Sequence, residues 1–511
     1  QVKGTEFGAE YNGIEGRGVQ YDSNGANVLT GNYLTQSTDI SIDSPAMDVE
    51  VVRSYNSNDA DTKDSLVIGN GWRMNFETFA ESVTINRFKV TASTLNLRKA
   101  PANMEEVYPT DWTIICGLAN GTIVDHTGRI MSWSDGSVWY EVKTSNNKTG
   151  WVSKRYLVDV PGVQITYPSG TKIMFKQSGD KYEAPVGCYD ELTKITENNK
   201  AMYKLKKKDQ SVYLYNVSTG KLEYQEDRYG NRIKYEYDNN GRLKKIYDCD
   251  STGAPIGRTL NLEYNSEKKL ATIVDNANRK VSYNYTNAKL SSVTDLNGNV
   301  TKYEYYSDGE GSKNKLEKIK KTNDNGVDIT LYTNFYDSLG RITKQLDNTN
   351  KPSYYLYKDL SAEDTSSRTT EGLEVCREYY NRRGDLTKEI YNVNFPDRPI
   401  RVIDATGKTT KTQYYLNGKE GWKETTTLTD EQLKSDKLKD LWLTNLPQKY
   451  ETTEVVEVEG KEVELKKTIV ETDNKENVLK VTNPDGTTKQ YQYYENGDLE
   501  YELDESEQQT Y

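Results

Sequence analysis

The residues that could perform nucleophilic, acid–base or metal chemistry are few in this chain. Among 511 residues there is one histidine, His126, and there are four cysteines, Cys116, Cys188, Cys249 and Cys376. No two of these cysteines stand in a CxxC or comparable zinc spacing. A single histidine excludes sites that need two, including those of the usual zinc enzymes. We therefore expect no metal site, no cofactor and no disulfide framework.

Acidic side chains are plentiful, but no pair of them stands out as catalytic. A glycosidase needs two carboxylates held at a defined separation, and the sequence does not single out such a pair. His126 lies between Asp125 and Thr127 in loop-like text, with no serine or cysteine nucleophile motif beside it. We expect surface roles for these groups and no catalytic residue, so the chain is predicted not to be an enzyme.

Four aromatic residues are the best candidates for binding a ligand: Trp133, Trp139, Tyr140 and Trp151. Exposed aromatic rings beside a few polar groups are typical of grooves that bind peptides or glycans. The alternative is core packing, because a small barrel needs large side chains inside. Core packing is favoured for Trp139 and Trp151, whereas Tyr140, the next residue on an alternating strand, is expected to be exposed.

The composition indicates which elements must position these residues. The chain has 40 tyrosines and a formal net charge of −11. The tyrosines alternate with polar residues, and Tyr combines a high strand propensity with a large apolar body, so the hydrophilic average does not indicate disorder. The acidic balance argues against nucleic acid as the main partner. No apolar run is long enough for a transmembrane helix.

One phrase recurs along the chain: an aromatic strand, a turn with Gly or Asn, and a polar strand. Copies occupy 235–243, 334–342, 378–386 and 492–499. Each copy predicts a β-hairpin, in which Gly supplies the positive φ of the turn. A single hairpin is marginal in water, so neighbouring hairpins must stabilise one another. The sequence predicts an all-β fold, a long curling sheet of tandem hairpins.

These hairpins resemble a known family. The stretch Asp-Arg-Tyr-Gly-Asn-Arg-Ile-Lys-Tyr-Glu-Tyr-Asp-Asn-Asn-Gly-Arg-Leu at 227–243 is close to the repeat consensus of RHS/YD-repeat proteins. Thr-Gly-Asn at 30–32, Arg-Ser-Tyr-Asn-Ser at 53–57 and Gly-Asn-Gly-Trp at 69–72 are similar to the opening of that family's core, which occurs in wall-associated and polymorphic-toxin proteins and in teneurin-like shells. The resemblance implies a partial RHS shell. It also implies a C-terminal cargo, which here would lie beyond Tyr511.

The sequence of residues 87–160 differs from the repeats and is similar to a bacterial SH3-like (SH3b) domain. Leu-Asn-Leu-Arg at 95–98, Trp-Tyr-Glu-Val at 139–142 and Gly-Trp-Val at 150–152 follow the order of that domain's strands. Related barrels often bind peptidoglycan peptides in a groove. The resemblance therefore implies that the aromatic set contacts cell-wall peptidoglycan, or another protein or glycan partner.

The predicted segments are a lead-in at 1–27, an N-terminal RHS segment at 28–86, the inserted SH3-like domain at 87–160 and an RHS/YD-repeat sheet at 161–511. Strand-like text at 83–85 and 163–165 flanks the SH3-like segment, so the small barrel is predicted to be inserted at a hairpin tip. A capping box and the apolar spacing that follows it predict one short helix at 429–442. The start at Gln1 and the stop at Tyr511, inside repeat-like text, predict a fragment of a longer chain.

The sequence favours a non-enzymatic shell or scaffold segment of a secreted or cell-surface bacterial protein. The longer chain would carry a C-terminal toxin, and the SH3-like module would attach to the cell wall or to a partner. An adhesin whose tyrosine-rich strands bind carbohydrate stays open as an alternative. A second alternative is an enzyme that acts on wall polymers.

Overall fold

The computed structural model describes residues 22–28, 30–43, 47–61, 67–101, 114–179, 181–185, 188–358, 374–392, 395–418, 421–424, 448–495, 497–504 and 509–510. This part of the chain is all-β, which confirms the predicted fold class. Its helical elements are two single 3-10 turns, Ser57–Asp59 and Lys154–Tyr156. No helix within these ranges has the length and apolarity needed to cross a membrane. The helix predicted at 429–442 lies outside the described residues.

A small antiparallel sheet comes first in the chain. It consists of β1 (Leu34–Ile42), β2 (Val49–Asn56) and β3 (Trp72–Met74), with β2 in the middle. Alternate apolar residues of these strands are buried, as the two-residue period of a strand predicts. We call the described residues between 22 and 78 the N-terminal module.

A nine-stranded sheet follows. Its strands in chain order are β4 (Phe79–Val90), β5 (Thr94–Arg98), β6 (Ile114–Ala119), β7 (Ile123–Ser132), β8 (Val138–Thr144), β9 (Thr149–Ser153), β10 (Leu157–Thr166), β11 (Lys172–Ser178) and β12 (Lys181–Glu183). Strands β4 and β10 pair with each other as an antiparallel hairpin. The strands that lie between them in the sequence therefore begin and end at neighbouring positions, at the tip of this hairpin. The intervening strands bury their own apolar cluster around Val142 and Val152. We call residues 87–160 the insert.

The remaining strands form one continuous antiparallel sheet of 26 strands, in which nearly every strand pairs with the next one along the chain. The first thirteen are β13 (Glu191–Glu197), β14 (Lys200–Lys206), β15 (Val212–Asn216), β16 (Leu222–Glu226), β17 (Arg232–Tyr237), β18 (Leu243–Cys249), β19 (Pro255–Tyr264), β20 (Leu270–Asp275), β21 (Lys280–Thr286), β22 (Lys289–Thr294), β23 (Val300–Tyr305), β24 (Leu316–Thr322) and β25 (Asp328–Tyr336). The others are β26 (Ile342–Asp347), β27 (Pro352–Lys358), β28 (Glu374–Tyr380), β29 (Leu386–Asn392), β30 (Phe395–Ile403), β31 (Thr409–Gly418), β32 (Gly421–Glu424), β33 (Lys449–Val458), β34 (Lys461–Thr472), β35 (Val478–Thr482), β36 (Thr488–Tyr493), β37 (Leu499–Leu503) and β38 (Gln509–Thr510). The predicted tandem hairpins are therefore present.

A β-bulge recurs at the same place in these hairpins, where a tyrosine near the end of one strand faces a Leu or Ile at the start of the next. The pairs are Tyr215 and Leu222, Tyr237 and Leu243, Tyr264 and Leu270, Tyr285 and Leu290, Tyr305 and Leu316, Tyr336 and Ile342, and Tyr493 and Leu499. A bulge bends its strand and increases the local twist. Because the same bulge returns in successive hairpins, their bends add up and the sheet curls.

The bulged tyrosines also tie each hairpin to the one before it. The Tyr285 hydroxyl donates to the Leu270 carbonyl at 2.6 Å, and the Tyr305 hydroxyl donates to the Leu290 carbonyl at 2.7 Å. Equivalent bonds run from Tyr237 to Leu222, from Tyr264 to Leu243 and from Tyr336 to Leu316. Each ring is thus packed while its hydroxyl keeps a hydrogen-bond partner.

Aspartates fix the turns between strands. In the turn after β17, Asp238 Oδ1 accepts hydrogen bonds from the backbone N–H groups of Asn240 and Arg242, both at 2.9 Å. Gly241 in that turn has a φ of 75°, which a residue without a Cβ adopts at no steric cost. Asn265 makes the same two contacts in the turn after β19. The acidic residue of the repeat phrase therefore serves as a turn former.

The hydrogen bonds lower the pKa values of these turn aspartates. For Asp238, the Arg242 backbone N–H makes the largest contribution and holds the carboxyl pKa below its ordinary value. For Asp275 and Asp295, burial acts in the opposite direction, but the hydrogen bonds outweigh it and their pKa values are also lowered. The folded state therefore favours the ionised carboxylates.

Acid is expected to destabilise the protein through these turns. Because the folded-state pKa values lie below the unfolded ones, the stabilisation is present above about pH 4 and is lost as the pH falls through the folded values. Urea unfolding between pH 7 and pH 3 should show the midpoint falling below pH 4. An Asp238→Asn variant keeps the acceptor oxygen, as Asn265 does naturally, and should show a shallower fall. An equally steep fall in this variant would contradict the assignment for Asp238.

The N-terminal module packs against the side of the 26-stranded sheet that carries the bulged tyrosines, and the two share one apolar cluster. The backbone N–H groups of residues that open return strands donate to the module: Leu270 to the Val67 carbonyl and Ile342 to the Gly31 carbonyl, both at 2.8 Å. A Cβ at Gly31 would collide with Arg341, so this approach requires glycine. The packing begins before the predicted boundary at residue 28, because the Tyr355 hydroxyl donates to Asp22 at 2.7 Å.

The curl brings distant turns of the sheet together. Lys208, in the turn after β14, donates to the Lys475 carbonyl in the turn after β34 at 2.8 Å, across 267 residues. Arg228 pairs with Asp498 at 2.5 Å, across 270 residues. Strand β34 lies twenty strands after β14. The sheet therefore returns on itself after about twenty strands, and polar contacts join the two passes.

Candidate functional site

The insert contains the four aromatic residues that the sequence selects, and the structure places them on two different faces. Along β8, Tyr140, Val142 and Thr144 are buried, whereas Trp139 and Glu141 are only half-buried. Tyr140 is 9 % exposed and packs on the Phe88 ring at 5.3 Å between centroids. The prediction that Tyr140 is exposed is therefore wrong. Val142 faces the core, and Tyr140, two residues earlier, must share that face.

His126 belongs to the same buried face. It lies in strand β7, so the prediction of a loop position is wrong. It pairs with Val142 across the β7–β8 ladder, and its ring is 4.4 Å from that of Tyr140 between centroids. The imidazole thus acts as a half-buried packing group at the edge of the core.

Trp139 and Trp151 lie on the opposite face. Trp151 pairs with Glu141 across the β8–β9 ladder, and Trp139 pairs with Met131 across the β7–β8 ladder. Trp151 is buried beneath the guanidinium of Arg129, 5.5 Å from the ring centroid, and not in the apolar cluster of the insert. We call Arg129, Met131, Trp139, Glu141 and Trp151 the outer aromatic face.

The polar groups of this face form an ion pair. Arg129 Nη1 donates to Glu141 Oε1 at 2.8 Å, while the Arg129 side chain is 71 % exposed. Met131, next to Trp139, is 39 % exposed. A cation on an aromatic ring beside an exposed thioether can bind a ligand with a planar or apolar part and an anionic part.

Trp133 lies beside this face, at the tip of the β7–β8 hairpin. Its backbone N–H donates to the Ser137 carbonyl at 3.0 Å, which closes the turn. The indole Nε1 of Trp133 is buried without a hydrogen-bond partner among the described residues. A buried donor without a partner is costly, so this indole can hydrogen-bond a ligand that reaches the tip.

Sequence reasoning missed Arg129, Met131 and Glu141. The signal was the strand period, because Glu141 stands two residues after Trp139 and must share its face. Arg129 and Met131 could not be placed, since the register of β7 shifts between His126 and Ile130. A bulge of this kind leaves no clear trace in the sequence.

The other potentially reactive groups in the structure are thiols and acidic side chains. Within the described ranges, no cluster of three or more His, Cys, Asp or Glu side chains could hold a metal ion. Cys116, Cys188 and Cys249 are free thiols. Burial raises the pKa of Cys188 to about 12 and also raises that of Cys249. These two thiols are thus kept protonated, which is the unreactive form.

The 26-stranded sheet itself has a second candidate surface, and the burial of equivalent residues on it changes along the chain. Leu222, Leu270 and Leu290 lie at the start of return strands, belong to the apolar cluster shared with the N-terminal module and are fully buried. Leu499 occupies the same place in its hairpin and is 49 % exposed. Between the two passes of the sheet there is also a cavity of about 640 Å³. Its lining includes Tyr189, Lys208, Lys475, Asn477 and Tyr494.

Comparison with known proteins identifies a similar family for one part of the chain. Residues 23–93 match the family described as a domain of unknown function (DUF6531). The match covers the N-terminal module and β4 and ends before β5. No curated protein matches the chain.

Three solved structures are similar at low identity. The first, TcdB2-TccC3-TEV, is 10 % identical with a TM-score of 0.31, and the match covers 95 % of this chain and 23 % of that chain. The second, TcdB2-TccC3 without the hypervariable C-terminal region, is 10 % identical with a TM-score of 0.21, covering 94 % and 31 %. The third, a porin-like protein from Bacteroides uniformis ATCC 8492, is 13 % identical with a TM-score of 0.15, covering 54 % and 94 %.

This chain spans less than a third of the length of either TcdB2-TccC3 structure. At these TM-scores the overall likeness carries no argument about function. The chain is therefore similar, over residues 23–93, to a domain of unknown function.

Proposed function

We propose that this chain is a segment of an RHS/YD-repeat β-shell in a secreted or surface-associated bacterial protein. The observation that supports this role best is the return of the 26-stranded sheet on itself, where Lys208 meets Lys475 and Arg228 meets Asp498. A sheet with the same bulge in successive hairpins bends steadily in one direction. Such a sheet surrounds a space, and in a longer protein that space would hold a cargo.

The role is a non-enzymatic one. Two observations support this role: burial raises the pKa values of Cys188 and Cys249, and the His126 ring packs against Tyr140. The tyrosine hydroxyls along the bulges bond to backbone carbonyls of neighbouring strands. These groups serve the sheet, as expected of a structural shell.

The curl is tested by a distance between spin labels attached at Lys208→Cys and Lys475→Cys. In a sheet that returns on itself, the two turns are neighbours. In a sheet that extends without curling, twenty strands spaced about 4.8 Å apart would separate them by about 100 Å. We expect the short distance between the two labels when the full chain is measured by pulsed electron–electron double resonance. A distribution centred at the long distance would refute the shell.

The insert is proposed to attach this shell to cell-wall peptidoglycan through the outer aromatic face and Trp133. The SH3-like resemblance supports this ligand, and so do Arg129, which leaves donors in solvent, and the unpartnered Nε1 of Trp133. Peptidoglycan stems carry carboxylates and amides, which suit a guanidinium and an indole donor. The binding energy is expected to concentrate on the tryptophans.

Replacing Trp139 with alanine is expected to weaken binding to insoluble peptidoglycan at least about tenfold, because buried aromatic anchors dominate interfaces. Co-sedimentation of the full chain with purified peptidoglycan measures this effect. Tyr229→Ala is the matched control, since Tyr229 is an aromatic residue that is 81 % exposed in a turn of the sheet. If the unmodified chain stays in the supernatant, wall binding is excluded.

A second function, carbohydrate binding by the sheet, is favoured by the cavity between its two passes. Tyrosine rings and amides line this cavity together with charged groups, and such surfaces stack on and hydrogen-bond sugars. A glycan array with Tyr494→Ala distinguishes the two functions. An adhesin would lose its signal in this variant, whereas binding through the insert would be unaffected.

A further inference from the structure

Three polar side chains form a connected set where the N-terminal module meets the sheet. Lys289 Nζ donates to Asn314 Oδ1 at 2.6 Å, and Asn314 Nδ2 donates to Asp61 Oδ1 at 2.6 Å. Lys289 opens β22, Asn314 lies two residues before β24 and Asp61 belongs to the N-terminal module. The partners are 25 and 253 residues apart, so only the folded chain brings them together.

Lys289 lies in a half-buried position where the N-terminal module meets the sheet. Its ammonium lies 5.3 Å from the centroid of the Tyr305 ring, and its side chain is half-buried next to the fully buried Leu290. Burial lowers the pKa of Lys289, although the charge of Asp61 acts in the opposite direction. Lysine amines in such sites are nucleophiles in other proteins.

Asn314 is held in place as the electrophile. Its backbone N–H donates to the Tyr306 carbonyl at 3.0 Å, and its φ of 67° is left-handed, a conformation that asparagine tolerates. Its amide oxygen faces the lysine and its amide nitrogen faces the carboxylate. Each end of the carboxamide thus has the partner that an acyl transfer needs: a nucleophile on one side and a proton carrier at the leaving nitrogen.

We propose that Lys289 and Asn314 form an intramolecular isopeptide bond. The neutral amine attacks Asn314 Cγ, and Asp61 carries the proton that the amine loses to Nδ2. The Cγ–Nδ2 bond then breaks, and ammonia leaves. One amide replaces another, so no oxidant, reductant or cofactor is consumed. Asp61 is exposed, which gives the ammonia a path to solvent.

The bond would join two successive repeats along the line where the module docks. It would close a loop between residues 289 and 314, which includes β22, β23 and the segment before β24. A covalent link at this place keeps neighbouring hairpins together when the shell is pulled or attacked by proteases, independently of what the shell contains.

The proposal is tested by the intact mass of the full chain under denaturing conditions. The expected result is a mass lower than that of the sequence by one ammonia, together with a branched proteolytic peptide that links Lys289 to Asn314. The full sequence mass with linear peptides would overturn the proposal. Conversion of Asn314 to aspartate would also overturn it, because water and not Lys289 would then be the nucleophile.

Variants assign the roles of the three residues. Lys289→Arg keeps the charge but cannot attack, and it should restore the full mass. Asp61→Asn should slow the loss of ammonia at least tenfold, measured by mass after refolding, since it removes the proton carrier. Lys280→Arg, an exposed lysine at the start of β21, should leave the bond intact. If bond formation were equally fast in Asp61→Asn, the role of Asp61 would be wrong while the bond itself would stand.

Discussion

Replacing Arg53 with methionine is expected to destabilise the protein by about 3–5 kcal/mol, the usual cost of removing one partner of a buried ion pair. The Arg53 side chain is 3 % exposed and pairs with Asp39, whose side chain is 4 % exposed. Without the guanidinium, the Asp39 carboxylate would stay buried with one known donor, the Tyr283 hydroxyl at 2.8 Å. Urea unfolding, followed by circular dichroism, measures the loss.

The size of this effect comes from the position of Arg53 between the N-terminal module and the sheet. One terminal nitrogen contacts Asp39 within the module, and Nη2 donates to the Tyr303 hydroxyl of β23 at 2.5 Å. The guanidinium also lies 5.5 Å from the ring centroids of Trp72 and Tyr303. Its loss should therefore loosen the docking of the module, and hydrogen exchange should accelerate first in β20–β24.

Two further variants separate the ion pair from general damage. The double variant Arg53→Met with Asp39→Leu removes both charges and should regain most of the lost stability, because replacing a buried pair with apolar groups is often neutral. Arg129→Met breaks an ion pair whose arginine is 71 % exposed and should cost about 1 kcal/mol or less. A double variant no more stable than Arg53→Met would contradict this account.

Much of the fold could be predicted from the sequence because its determinants are local. The hairpin phrase has tyrosine on the first strand, Gly in the turn and Leu or Ile at the return, and neighbouring repeats supply the contacts that each hairpin needs. Tyr285 and Leu270, which bond between adjacent hairpins, are only 15 residues apart. Such short-range patterning survives in a single sequence.

The contacts of the N-terminal module could not be predicted in this way. Arg53 and Tyr303 are 250 residues apart, and no local pattern marks them as partners. The same holds for Lys208 and Lys475, which close the curl. Their pairing depends on how many strands the sheet needs to return on itself. That number is set by the bends of many strands added together.

The candidate site was predicted only in part. The aromatic residues of the insert were found by type, but the orientation of Tyr140 depends on the phase of β8, which the buried positions of Val142 and Thr144 set. A one-residue change of phase exchanges the two faces of a strand. Residue type therefore selected the candidate residues, while the register determined which face of the strand each ring occupies.

The largest contrast within the repeats is expected between Leu270→Ala and Leu499→Ala. Both leucines open a return strand opposite a bulged tyrosine, Tyr264 and Tyr493. Leu270 is fully buried beneath the N-terminal module, and its truncation should cost about 2–5 kcal/mol through lost burial and the cavity that remains. Leu499 is 49 % exposed, so the same change should cost about 0.5 kcal/mol or less.

The comparison isolates the effect of covering the sheet, because the local motif is the same in both hairpins. The opening free energy of amides in β20 and β37, measured by native-state hydrogen exchange, follows each substitution where it acts. Only the β20 amides should lose protection. If Leu499→Ala were as costly as Leu270→Ala, the last hairpins would be covered in solution. The sheet face around Leu499 would then have a partner other than the N-terminal module.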